Sequence, residues 1–238
     1  SHFLFELIFY SWVAIRELGP VFYDQSLIDR DTILISEEVR LSYKKQIDEE
    51  VMSAFRVAIK NITYFHEKQI PIDYEVNKEG ANIASIWKPI QSVGLYIPGG
   101  KAIYPSSLIM NVIPAKVAGV KRIVVTTPSK EGIINPYILA LLDELGITEI
   151  YQVGGAHAIA ALAFGTDSIK HVNKIFGPGN AYVASAKKQV FGKVGIDLIA
   201  GPSEIVVVAD KDNNPDWVAA DLIAQAEHDE KAQSILIT

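Results

Sequence analysis

The chain has 238 residues, 49% of them hydrophobic and 9% aromatic, so it can bury a substantial core in one large or two modest domains. Its formal net charge of -6 and pI near 5.4 argue against a nucleic-acid backbone or an anionic membrane as the main partner, because both attract clustered Lys and Arg. The sequence has no cysteine, which excludes disulfides and thiolate zinc sites and fits a reducing cytoplasm.

The first residues form an apolar and aromatic run, 1–13. This run is too short to span a bilayer and contains Glu6. It also lacks the basic start and the small-residue cleavage site of a secretory signal. We interpret it as a core segment rather than a membrane anchor, within a stretch before Ile35 that is atypical of the rest.

The strongest helical pattern lies between Ser36 and Lys68. It predicts two helices or one long bent helix, with Ser36 as the N-cap and the acids Glu37 and Glu38 in the first turn. A polar linker is expected from Pro71 to Ala84. Apolar residues of the helical region recur at three- and four-residue spacing: Val39, Tyr43, Ile47, Val51, Phe55, Ile59 and Ile62.

After Ser92, short apolar runs alternate with helical patterns, which predicts βαβ units and a mostly parallel α/β sheet. The predicted strands are Val93–Ile97, Arg122–Thr126, Ile150–Val153, Lys174–Phe176, Asp197–Ile199 and Glu204–Ala209. The predicted helices are Leu108–Gly119, Asn135–Leu145, Ala156–Phe164, Ala181–Phe191 and Pro215–His228.

Glycine-rich loops follow several predicted strands, at the sheet edge where α/β proteins bind ligands. Single glycines there often only make tight turns, but four such loops at one edge favour a ligand site. No G-x-G-x-x-G follows the first strand and no P-loop pattern is present, so a dinucleotide would bind in a non-standard way. The loops begin at Pro98, Gly154, Gly177 and Gly201.

Five sequence blocks carry a family resemblance. They run from Ser92 to Gly100, from Val153 to Ala156 together with Ala158 to Thr166, from Lys174 to Asn180, from Ala200 to Glu204 and from Gln225 to His228. In this order they closely resemble the signature blocks of the histidinol dehydrogenase family. The likeness covers roughly Ile35 to Thr238.

The resemblance implies a four-electron oxidation of L-histidinol to L-histidine through the aldehyde, with two NAD and one zinc ion per site. It also implies a cytoplasmic homodimer whose sites are completed across the subunit interface. The implied fold has two incomplete Rossmann-like parallel-sheet domains preceded by long helices. Residues 1–93 would begin the first domain, 94–201 would be the inserted NAD domain, and 202–238 would return to the first domain with the zinc-ligand helix.

Three residues match family contacts to NAD: Tyr96, Asn180 and His157, where His157 replaces the usual Gln. A neutral His can still donate one hydrogen bond and accept another. From the residues alone, Tyr96 could equally be a core tyrosine, Asn180 a helix N-cap, and His157 a cap or a packed residue.

Gln225 and His228 match two zinc ligands that also touch the substrate, and Ser203 matches a substrate contact. A three-residue spacing places Gln225 and His228 on one helical face, so both side chains could reach one ion. Without the resemblance, such a pair is more often a solvated surface, and Ser203 only a turn residue.

The family's two further zinc ligands, an Asp and a His, and its catalytic Glu-His pair match no residue of this sequence. The chain taken alone is therefore expected to be inactive, with no catalytic residue of its own. Two alternatives remain: a paralogue that oxidises another polyol or a sulfonated diol with NAD, and a non-catalytic NAD-binding fragment.

Overall fold

The computed structural model describes residues 33–99, 104–129, 134–199, 204–227 and 232–238. They form two compact units, one ending at Leu198 and the other running from Ile199 to Thr238. The apolar run 1–13 lies outside the described residues. No helix within the described ranges is long and apolar enough to cross a membrane.

Two helices open the first unit, α1 (Glu37–Lys44) and α2 (Glu49–Glu67). Ser36 Oγ accepts a hydrogen bond from the Val39 N–H at 3.3 Å, which confirms the predicted N-cap. A second cap separates the helices, because Asp48 Oδ1 accepts from the Glu50 N–H at 2.9 Å. The helical region is therefore two helices and not one bent helix.

The linker expected between Pro71 and Ala84 is instead an antiparallel hairpin of β1 (Tyr74–Lys78) and β2 (Ala81–Ser85). Gly80 closes the turn with a φ of 76°, a conformation that glycine adopts without steric cost. The linker prediction was wrong because the alternation of apolar and polar residues in β1 outweighs the overall polarity of the segment.

A five-stranded parallel sheet follows, in the order β5-β4-β3-β6-β7. Its strands are β3 (Ser92–Tyr96), β4 (Arg122–Thr126), β5 (Glu149–Tyr151), β6 (Lys174–Phe176) and β7 (Gly195–Ile196). The α/β class and the parallel sheet are thus confirmed. The strand predicted at Asp197–Ile199 is wrong, because β7 pairs with β6 only through Gly195 and Ile196.

Helices cover both faces of this sheet: α3 (Pro105–Val117), α4 (Pro136–Glu144), α5 (Gly155–Phe164) and α6 (Ala181–Val190). Leu95 belongs to the core beneath α3 and α4, whereas its neighbour Tyr96 belongs to the core beneath α5 and α6. Burial on both faces explains why the strands read as nearly continuous apolar runs.

An ion pair anchors α1 to α4. Arg40 Nη1 lies 3.0 Å from Asp143 Oδ1, and the two side chains are 7% and 15% exposed. Lys44 Nζ lies 2.8 Å from the other oxygen, Asp143 Oδ2, and this hydrogen bond raises the pKa of Lys44. Removal of either partner of the buried Arg40–Asp143 pair would leave an uncompensated charge, so the pair fixes where α1 packs on α4.

The second unit is a βαβ unit of β8 (Glu204–Val208), α7 (Pro215–Ala226) and β9 (Gln233–Ile237), whose two strands are parallel. Asn214 caps α7 by accepting from the Asp216 N–H at 2.9 Å. Strand β9 was not predicted, because its five residues follow the last helical pattern without a turn signal. Helix α7 ends at Ala226, before the predicted end at His228.

Candidate functional site

The strand order creates a switch point between β3 and β6. The chain leaves β3 toward β4 and β5 on one side, and β6 leads to β7 on the other. Loops that leave neighbouring strands in opposite directions open a crevice at the carboxyl ends of the strands, where open α/β sheets bind ligands. The described part of this crevice comprises residues 97–99 after β3 and 177–180 after β6.

Tyr96 is the last residue of β3 and is 3% exposed. Its hydroxyl oxygen accepts a hydrogen bond from the Gly155 N–H at 3.2 Å. Gly155 is the first residue of α5, and the first N–H groups of a helix have no partner within it. Tyr96 therefore joins the end of β3 to the start of α5, and its contact with a cofactor stays a prediction.

The Gly177–Asn180 loop lies against Tyr96. Gly177 has a φ of 111°, and a Cβ there would overlap the Tyr96 carbonyl oxygen. A Cβ at Gly179 would lie 2.5 Å from the side chain of Val183. Both positions therefore require glycine, because the loop packs directly against the end of β3 and the first turn of α6.

Asn180 is the N-cap of α6, as its capping interpretation predicted. Its Oδ1 accepts hydrogen bonds from the Tyr182 and Val183 N–H groups, both at 3.1 Å. The residue is exposed, and with Oδ1 engaged the amide Nδ2 remains to donate to a ligand. Capping and cofactor contact are thus compatible at this position.

His157 lies in the first turn of α5 and is half-buried. Burial lowers the pKa of its imidazole, because desolvation disfavours the charged form. The ring is therefore neutral at pH 7, the state in which it can both donate and accept a hydrogen bond.

This pKa shift predicts how stability depends on pH. The unfolded chain takes up a proton on His157 as the pH falls through about 6.5, whereas the folded protein resists protonation. The free energy of unfolding therefore decreases below that pH. When the pH is lowered from about 7.5 to about 5.5, we expect the Tm of His157→Gln to fall less than the Tm of the parent chain.

Circular-dichroism melting curves at the two pH values measure this difference. His171→Gln is the matched control, since His171 is exposed and the substitution is the same. An equal fall in Tm for the parent and His157→Gln proteins would contradict the prediction.

The sequence did not predict two candidate functional residues, Lys187 and Asp197. Lys187 is 3% exposed on α6, and its Nζ lies 2.6 Å from Asp197 Oδ1 at the end of β7. The same Nζ donates to the Gly177 carbonyl oxygen at 2.5 Å. A signal was present: Lys187 interrupts the apolar positions of α6, four residues after Val183 and three before Val190.

The predicted zinc ligands lie in the second unit, and the structure describes only one of them. Gln225 is half-buried in the last turn of α7, and its Nε2 is buried without a hydrogen-bond partner. His228 and Ser203 lie outside the described residues. Across the described ranges, no group of three or more His, Cys, Asp or Glu is placed to hold a metal ion.

Comparison with known proteins identifies the family of this chain. A family model described as histidinol dehydrogenase matches residues 13–238. The chain belongs to the histidinol dehydrogenase family. The match begins well before Ile35, so the expectation that the likeness starts there is wrong.

Curated proteins similar to this chain bear the name of the same family. Histidinol dehydrogenase of Rhodopseudomonas palustris is 54% identical over 217 residues, which are 91% of this chain and 50% of that protein. Histidinol dehydrogenase of Rhizobium meliloti is 60% identical over 191 residues, covering 79% of this chain and 44% of the relative. The chain thus spans about half the length of the curated relatives it matches.

A solved structure shares the fold. The crystal structure of histidinol dehydrogenase from Elizabethkingia anophelis matches with a TM-score of 0.88 and 38% sequence identity. The match covers 98% of this chain and 56% of that chain.

Proposed function

We propose that the full-length protein is an NAD-dependent, zinc-requiring histidinol dehydrogenase, which oxidises L-histidinol to L-histidine through the aldehyde in histidine biosynthesis. The family match over residues 13–238 carries this proposal. Relatives that are 54% and 60% identical bear the name of this activity. In the same proposal, the enzyme is a cytoplasmic homodimer, and residues 94–201 form an NAD-binding domain inserted into the first domain.

The switch-point crevice fits a dinucleotide. Gly177 and Gly179 let the loop after β6 pack against Tyr96 and Val183, which fixes the backbone that leads to Asn180 at the crevice. Asn180 Nδ2 and the neutral ring of His157 supply hydrogen-bonding groups at the same edge of the sheet. When bound, NAD would supply the electron acceptor, and these residues would hold and orient it.

Gln225 gives partial support for zinc. Its buried amide nitrogen has no hydrogen-bond partner among the described residues, which is costly in free energy and suggests a partner that the described residues do not supply. A half-turn of the side-chain amide would place its oxygen, the atom that can bind a metal ion, at the same buried position. We propose Gln225 and His228 as zinc ligands and Ser203 as a substrate contact; the ion would supply Lewis acidity to the substrate alcohol.

The test is NADH formation from L-histidinol by the full-length protein, before and after zinc is removed with a chelator. We expect turnover that is lost on chelation and restored by zinc, and no turnover from the 238-residue chain alone. Turnover of another polyol or a sulfonated diol in place of L-histidinol would identify a paralogue and overturn the proposed substrate. NAD binding without turnover of any alcohol would identify a non-catalytic NAD-binding protein.

Asn180→Ala should weaken cofactor binding specifically. The substitution removes the N-cap of α6, at a cost of about 0.5–2 kcal/mol, and the Nδ2 donor as well. We expect the Kd for NAD to rise about tenfold, a loss typical of a removed hydrogen bond in a binding site, while kcat at saturating NAD stays within a few-fold.

Isothermal titration and initial-rate kinetics measure the two quantities for Asn180→Ala. Asp48→Ala is the control, because it removes the N-cap of α2 without touching the crevice. If Asp48→Ala weakened NAD binding as much as Asn180→Ala, the loss would reflect helix stability and not a cofactor contact.

A further inference from the structure

Lys187 and Asp197 form hydrogen bonds with the backbone N–H and carbonyl groups of one residue, Gly177. The Gly177 N–H donates to Asp197 Oδ2 at 2.8 Å, and the Gly177 carbonyl oxygen accepts from Lys187 Nζ at 2.5 Å. The ammonium also donates to Asp197 Oδ1 at 2.6 Å. Both hydrogen-bonding groups of this glycine are therefore held by one ion pair.

The Lys187–Asp197 ion pair is largely buried. The Lys187 side chain is 4% exposed and that of Asp197 is 20% exposed, so the ammonium has lost nearly all of its hydration. A buried ion pair is weak evidence for stability, since apolar residues of similar volume often stabilise as well or better. The neighbouring buried positions of α6, Val183 and Val190, are indeed apolar.

The three contacts fix a backbone that glycine would otherwise leave free. Gly177 has a φ of 111°, and glycine has more accessible conformations than any other residue. Lys187 reaches it from the C-terminal half of α6, because helical side chains point toward the helix N-terminus. Asp197 reaches it from the end of β7, so the loop after β6 is tied to the next helix and the next strand.

We propose that Lys187 and Asp197 are positioning residues that hold the Gly177–Asn180 loop in its dinucleotide-binding conformation. This inference rests on the proposed NAD-dependent function. A preorganised loop loses less conformational entropy when a ligand binds, so the pair acts on cofactor affinity rather than on the chemical step.

Lys187→Met in the full-length protein tests the proposal. Methionine keeps the length and the apolar stem of the side chain and removes the ammonium. We expect the Kd and KM for NAD to rise at least about tenfold, while kcat at saturating NAD stays within a few-fold. Asp197→Asn should shift the same quantities in the same direction, because the amide lacks the charge that pairs with Lys187.

The matched control is Arg40→Met, which breaks the buried pair with Asp143 in the same unit but leaves the loop untouched. It should lower Tm as Lys187→Met does and leave the Kd for NAD unchanged. Lys187→Met and Asp197→Asn proteins that bind NAD as tightly as wild type would overturn the positioning role. If Lys187→Met does not fold, Asp197→Asn alone tests the proposal, because asparagine has the same shape as aspartate.

The wild-type protein separates this inference from the function beneath it. A wild type that binds no NAD would overturn the proposed function and, with it, the role of the pair. Normal binding by wild type together with normal binding by the two variants would overturn the pair's role alone.

Discussion

Replacing Gln225 or His228 with Ala in the full-length protein is expected to lower turnover of L-histidinol more than about 100-fold, while NAD affinity stays within a few-fold. Loss of a direct metal ligand should cost at least as much as loss of a group that only orients one. NAD affinity should survive because both substitutions leave the proposed cofactor contacts, Tyr96, His157 and Asn180, unchanged.

Zinc content per subunit, steady-state rates and NAD titration measure this prediction. Asp221→Ala is the control, because Asp221 is an exposed acid on the same helix, α7. Each ligand variant should lose zinc together with turnover, and the control should lose neither. A parallel loss of NAD binding in the ligand variants would show that the metal has been assigned to the wrong part of the chain.

Gly177→Ala is expected to weaken NAD binding more than about tenfold and to destabilise the fold. An L-residue at a φ of 111° costs about 1–3 kcal/mol in backbone strain. In addition, the new Cβ would overlap the Tyr96 carbonyl oxygen, which is backbone and cannot rotate away. The loop and the end of β3 must therefore separate, which displaces the two strands that border the crevice.

Gly192→Ala is the control that separates the backbone strain from the steric collision. Gly192 has a φ of 94°, and no atom lies within 4 Å of the position that a Cβ would occupy. It therefore carries the same kind of strain without the collision. Denaturant unfolding and NAD titration of both variants should show a larger loss for Gly177→Ala in each. Equal losses would mean that close packing against Tyr96 does not shape the crevice.

The sequence predicted the parallel sheet well because its strands are buried on both faces. Arg122–Thr126 and Lys174–Phe176 match β4 and β6 at both ends, since Pro128 comes two residues after β4 and Gly177 directly after β6. The prediction of strands failed where the strand residues are exposed, because no apolar run marks them. Every residue of β1 is exposed, and the hairpin was interpreted as a linker.

The candidate site was predicted less completely, for a physical reason. The caps and glycines depend on local sequence, so Asn180 and Gly177 could be found from their neighbours. The Lys187–Asp197 pair depends on where β7 ends, and the predicted strand Asp197–Ile199 would have put the carboxylate within a strand. Contacts between elements of this kind follow from strand register, which periodicity alone does not determine.

The most direct test of the central proposal is to count NADH formed per L-histidinol consumed by the zinc-loaded full-length protein, with product identification by mass spectrometry. A four-electron oxidation predicts two NADH per substrate and L-histidine as the product. One NADH per substrate, with an accumulated aldehyde or no L-histidine, would contradict the proposed reaction.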